Sequence, residues 1–186
     1  MIRTFIAIKI PENIRKLIDD FQKSLRCEHF PVRWIATENM HLTLKFIGEI
    51  PPDTVDAIKN ELFEAPPIWK PFEITISGTG VFPNIRKVRI FWTGITNGSE
   101  ELIKLVNLIE SHLTKFNIKK EKRPFKPHLT IGRCKIPRHL KGLEQFVSRD
   151  IFYAGSFVVN EIILMKSVLR PTGAEYTPLA VHSLAP

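Results

Sequence analysis

His41-Leu42-Thr43-Leu44 returns further along the chain as His128-Leu129-Thr130-Ile131, each time inside a run that alternates polar and apolar residues. Alternation with period two predicts a β-strand. Neighbouring side chains leave opposite faces of a sheet, so His and Thr share one face and the aliphatic residues share the other. Each copy sets one imidazole and one hydroxyl in front of an apolar back suited to a core. A strand of this design occurring twice predicts a duplicated fold with half a site in each copy.

Reading outward from the first copy, residues 2 to 9 form a strand ended by Pro11, and Ile14, Leu17, Ile18, Phe21 and Leu25 recur at helical spacing. They predict a helix over 12 to 27, with Pro11 tolerated in its first turn. Val32 to Ile35 is a short strand, and Met40 to Ile47 is the His-bearing one, closed by Gly48. Pro51-Pro52-Asp53 opens a second helix with Val55, Ile58 and Leu62 on its inner stripe, ended by Pro66-Pro67.

Around the second copy, Phe72 to Ser77 and Val88 to Ile95 read as strands joined by a loop from Gly78 to Asn84. Ser99 caps a third helix with Leu102, Leu105, Val106, Ile109 and Leu113 on one stripe. A basic loop, Lys119 to Lys126, leads into the second His strand at 128 to 134. A helix over 138 to 148 and strands at 152 to 159, 161 to 168 and 176 to 182 complete the chain. Strands and helices interleave without the regular alternation of a parallel wound sheet, which makes the class α+β. The expected architecture is a bilobal duplicated fold, two antiparallel sheets with flanking helices facing each other across a central cleft. No low-complexity linker divides the halves. Residues 1–186 therefore read as a single domain of two pseudo-symmetric lobes, with motifs at 41–44 and 128–131.

The formal charge of +8 on 186 residues favours an anionic partner: nucleic acid, a phosphate ester or a membrane surface. The N-terminus lacks the apolar core of a secretion signal, and no run approaches the roughly 18 apolar residues that cross a bilayer. Cys27 and Cys134 form no framework and read as buried thiols. These features predict a soluble cytoplasmic protein without a membrane partner. A monomer is the expected working form.

Displacement at phosphorus puts the attacking and leaving oxygens in line on opposite sides of the phosphate. One group must take a proton and another must give one. Two imidazoles on opposite walls of a cleft do both, because an ordinary histidine pKa of about 6.5 lets one be neutral while the other is protonated. The threonines donate to the non-bridging oxygens, where charge is concentrated. A metal site competes for any histidine pair, but there is no His-x-His or His-Glu-x-x-His, and no acidic residue lies within two positions of His41 or His128. No metal or other cofactor is expected. Lys45 shares the face of His41 and Thr43 by alternation and is a candidate phosphate contact; Phe82 is a candidate base-stacking residue. The basic run with Lys126 is a candidate guide for an RNA backbone.

The two motifs, with Arg3-Thr4-Phe5-Ile6-Ala7-Ile8, Arg33-Trp34-Ile35, Leu44-Lys45-Phe46-Ile47-Gly48-Glu49, Gly80-Val81-Phe82-Pro83 and Phe125-Lys126-Pro127, give the chain its resemblance to a known family. So does the tail, Ile163 to Leu169 with Gly173 and Tyr176. The sequence resembles the 2H phosphoesterases, and within them the RNA 2′,3′-cyclic phosphodiesterases also called 2′-5′ RNA ligases. The resemblance implies metal-independent hydrolysis of RNA 2′,3′-cyclic phosphate ends to 2′-phosphates, with 2′-5′ ligation as a further activity and tRNA halves among the RNA partners. It implies His41 as the acid, His128 as the base, Thr43 and Thr130 on the phosphate, and Arg133 adding charge there. A non-catalytic protein that binds RNA ends is the alternative, and a 2′-5′ oligoadenylate or a small nucleotide cyclic phosphate is an alternative substrate.

Arg133 sets a geometric condition. In a regular strand it leaves the face opposite His128, and a phosphate contact then requires a bulge, twist or strand end near Gly132.

Overall fold

A computed structural model describes residues 1–63, 69–147, 152–171 and 173–184. Its strands are β1 (Ile2–Lys9), β2 (Arg33–Trp34), β3 (His41–Ile50), β4 (Phe72–Phe82), β5 (Val88–Asn97), β6 (His128–Arg138), β7 (Tyr153–Val159), β8 (Glu161–Arg170) and β9 (Gly173–Ser183). The helices are α1 (Glu12–Arg26), α2 (Pro52–Ile58), α3 (Ser99–Leu113) and the short α4 (Glu144–Val147). One sheet has the order β3-β1-β8-β9 and the other β2-β6-β5-β4-β7, with every pairing antiparallel. The α+β class and the two sheets are as expected.

The duplication is visible as β1-α1-β3 in the first sheet and β5-α3-β6 in the second. The helices, however, are exchanged. Ile14 of α1 packs over Gly155 of β7, and Phe21 stacks on Phe152 with ring centroids 4.1 Å apart. In return, α3 places Glu110 against Lys45 of β3. Each half thus covers the apolar back of the other's sheet and excludes water from it. Helix α1 buries Ile14, Ile18, Gln22 and Leu25, with Glu12 in its first turn and Lys23 and Arg26 in its last, complementing the helix dipole. Leu17, expected on that stripe, is exposed, and Gln22 is buried.

Several boundaries differ from expectation. The stretch from Gly78 to Phe82 is strand, because Gly78 is taken up as a bulge opposite β5; the turn comes after it. Strand β3 runs through Gly48 to Ile50, and β6 continues to Arg138. Gly142, at φ +90°, breaks the helix expected over 138 to 148 and leaves only α4. Ser99 is not the cap of α3. Gly98 holds that place at φ +73°, where a Cβ would lie 2.2 Å from the Glu73 carbonyl, and the Ser99 hydroxyl donates to Ile95 O. Cys27 is exposed beyond the last turn of α1 and Cys134 is half-buried. The Pro66-Pro67 turn and residue 148 lie outside the described residues. Among the described residues no helix is long and apolar enough to cross a membrane.

Candidate active site

The motif strands carry the same irregularity at the same place. In β3, Thr43 pairs with Ala7 and Lys45 with Ile6, leaving Leu44 as an extra residue. In β6, Thr130 pairs with Trp92 and Gly132 with Phe91, leaving Ile131 as the extra one. Each is a β-bulge, and beyond it the sides of the strand exchange. The carbonyl of Ile131 accepts from the Gln22 side-chain amide at 2.7 Å and from the Ile35 amide at 3.0 Å, so the bulge leaves no buried acceptor unpaired. A Cβ on Gly132 would lie 2.5 Å from Val32 and 3.2 Å from the Trp34 ring; only glycine lets β2 close over the bulge.

The bulge in β6 meets the condition on Arg133, which lines one cavity with His128 and Thr130. The matching bulge in β3 overturns the expectation for Lys45. It turns that side chain to the core side, where Nζ bonds Glu110 at 2.5 Å and the Lys119 carbonyl at 3.0 Å. Lys45 fastens α3 and the start of the basic loop and does not line the cavity that His41 and Thr43 share.

His41, Thr43, His128, Thr130 and Arg133 come together around a cavity of about 50 Å³, with Ile35, Asn39 and Tyr176 completing its wall. The Nδ1 of His41 lies 2.8 Å from the Asn39 carbonyl and that of His128 2.7 Å from the Lys126 carbonyl. A carbonyl oxygen only accepts, so Nδ1 carries the proton in both rings and Nε2 is left to act. Aromatic rings confine both imidazoles. Phe5 and Tyr176 each lie 4.8 Å from the His41 ring, and Phe82 meets the His128 ring edge-on at 5.0 Å. Burial, the largest cause, holds both histidines below the ordinary imidazole value; the carbonyl bonds oppose this, and the Arg133 guanidinium adds to the lowering in both.

Two larger pockets flank the cavity, one of about 440 Å³ on the His41 side and one of about 910 Å³ on the His128 side. Phe82 lines the second with Phe125, and Lys122, Arg123 and Lys126 of the basic loop edge it. Tyr176 is a site-lining residue that local pattern misses: it reaches His41 only because β9 joins the first sheet beside β8. Arg3 and Arg33 line the first pocket for equally non-local reasons. Among the described residues no three His, Cys, Asp or Glu side chains gather where they could hold a metal ion.

The family model described as LigT like Phosphoesterase matches residues 8–92 and 95–176. The chain is 34% identical over 184 residues to the RNA 2′,3′-cyclic phosphodiesterase of Methanothermobacter thermautotrophicus, covering 98% of this chain and 99% of that one. It is 35% identical over 176 residues to the protein of the same name from Methanocaldococcus jannaschii, covering 94% and 96%. Among solved structures, E. coli LigT complexed with 3′-AMP superposes with a TM-score of 0.80 at 27% identity, covering 100% of this chain and 99% of that one.

Proposed function

The chain belongs to the LigT-like phosphoesterases, the 2H family, and from that premise we propose that its cleft opens RNA 2′,3′-cyclic phosphate ends to 2′-phosphates by paired-histidine catalysis. The observation that carries this reading is the meeting of two histidines, each with Nδ1 engaged and Nε2 free, with two threonines and one arginine around a single cavity.

In the proposed reaction His128 Nε2 takes a proton from water and the water oxygen attacks phosphorus. The bond from phosphorus to the 3′ oxygen breaks, and His41 Nε2 gives its proton to that oxygen. Thr43 and Thr130 donate to the non-bridging oxygens and Arg133 offsets their charge. With a 5′-hydroxyl strand in place of water, the same attack forms a 2′-5′ linkage, the ligation expected for tRNA halves. In this reading Phe82, whose ring meets that of His128, stacks a base in the larger groove. The chain acts as one domain of two pseudo-symmetric lobes, as a monomer in the cytoplasm.

The test is incubation with a cyclic-phosphate oligonucleotide in EDTA, with the product's phosphate position determined. Conversion to the 2′-phosphate is expected; binding without conversion over hours would indicate the non-catalytic end-binding protein instead.

The pH profile follows from the two lowered histidines. Activity needs one protonated and one neutral ring, so kcat/KM is bell-shaped, and in the free enzyme both limbs lie to the acid side of the ordinary imidazole value. Bound phosphate favours the imidazolium, so the kcat profile lies to the alkaline side of the kcat/KM profile. Rates measured between pH 4.5 and 9 check this, and a monotonic rise with a metal requirement would contradict it.

Arg133→Ala is expected to lower kcat/KM about 10²-fold, the cost of removing one charged donor from a developing oxyanion. Removing the guanidinium also removes a cause of the lowered histidines, so both limbs move toward higher pH. Unchanged kcat/KM would take Arg133 out of the phosphate site.

A further inference from the structure

The pockets on either side of the histidines differ in charge. The one beside His41 shares Thr43, Arg133 and Tyr176 with the wall of the central cavity. It is lined by three guanidinium groups, Arg3, Arg33 and Arg133, and among the described residues by no carboxylate. The groove beside His128 sets Glu110 and Glu121 among its cations.

The backbone puts the three arginines together. Arg33 stands directly opposite Arg133 in the β2–β6 ladder, so both side chains leave the same face. Arg3 lies with its guanidinium carbon 4.6 Å from the centroid of the Phe46 ring, and its Nε is buried without a hydrogen-bond partner. Phe46 follows His41 at the place where Arg133 follows His128. The duplication is broken here, and the positive charge is gathered on the His41 side. Guanidinium forks match phosphate oxygens two at a time, which suits them to a fixed phosphate better than lysines.

We propose that this pocket holds a second phosphate, the one on the 5′ side of the nucleotide that carries the cyclic phosphate. The enzyme then selects ends that continue as a polynucleotide, or bear a 5′-phosphate, over a nucleoside cyclic phosphate with a free 5′-hydroxyl. The inference rests on the phosphodiesterase reading above. Arg133 touches both cavities and bridges the reacting phosphate and the second one, a single ribose apart.

The experiment compares adenosine 2′,3′-cyclic phosphate with the same nucleotide bearing a 5′-phosphate, in the wild type and in Arg3→Gln and Arg33→Gln. In the wild type the 5′-phosphate is expected to raise kcat/KM about tenfold or more, chiefly through KM, the worth of one charge-assisted contact. In each variant the ratio between the two substrates falls toward one, and in Lys122→Gln/Arg123→Gln it stays at the wild-type value. Equal kcat/KM for both substrates in the wild type overturns the second-phosphate site and leaves the phosphodiesterase reading standing. Loss of the preference only in Lys122→Gln/Arg123→Gln overturns it too, by placing the phosphate in the opposite groove. Conversion of neither substrate overturns the phosphodiesterase reading, and calorimetry then decides the pocket. Tighter binding of adenosine 2′,5′-bisphosphate than of adenosine 2′-phosphate supports it, and equal binding overturns it.

Discussion

His41→Ala and His128→Ala are each expected to lower turnover of a cyclic-phosphate RNA end by about 10² to 10⁴, the range for loss of one general acid or base. The effect falls on kcat because the missing proton transfer belongs to the transition state. Both side chains are half-buried at the cavity wall, and the carbonyls of Asn39 and Lys126 that they release are beside an open cleft where water can replace the imidazole. Stability therefore changes little in either variant, and circular dichroism and the unfolding midpoint stay near wild type. In the proposed reaction the two histidines act on the same phosphate in one step, so the double variant is expected to cost far less than the product of the singles. Turnover above about a tenth of wild type in one variant would remove that histidine from the reaction.

What the sequence makes legible, and what it hides, can be traced to the motif strands. Alternation places His41 with Thr43 and His128 with Thr130 because the side-chain period is a property of the strand itself. Gly132 marks its bulge in advance, since glycine within a strand so often signals one. Leu44 carries no such mark. Its bulge is set by the register against β1, a long-range pairing, and alternation carried past it puts Lys45 on the wrong face. The strand from Gly78 to Phe82 is hidden for the converse reason: its glycines are turn formers in isolation, and pairing with β5 overrides them. The exchange of α1 and α3 between sheets, the arrival of Tyr176 at His41 and the pairing of Arg33 with Arg133 all depend on which distant strands become neighbours. Local pattern contains none of that.

Lys45→Met is the substitution that separates the two readings of that residue. The Lys45 side chain is 2% exposed and its partner Glu110 9%, and Glu110 also accepts from the Glu121 amide at 2.9 Å. Removing the cation leaves a buried carboxylate with one remaining donor, and the Lys119 carbonyl without the ammonium that bonds it. Breaking a buried pair from one side costs about 3–5 kcal/mol, which for a chain of this size lowers the unfolding midpoint by about 10 °C. Methionine keeps most of the volume, so little of the loss comes from a cavity. Lys45→Met/Glu110→Leu should recover most of the stability, because an apolar pair of similar size carries no desolvation penalty. Had alternation been right, and Lys45 faced the phosphate, Lys45→Met would instead reduce kcat/KM at an unchanged midpoint, and the double variant would restore nothing. Thermal unfolding of the two variants beside their kcat/KM values decides the matter. A midpoint within about 2 °C of wild type for Lys45→Met would show that this ion pair does not hold α3 and the basic loop to the first sheet.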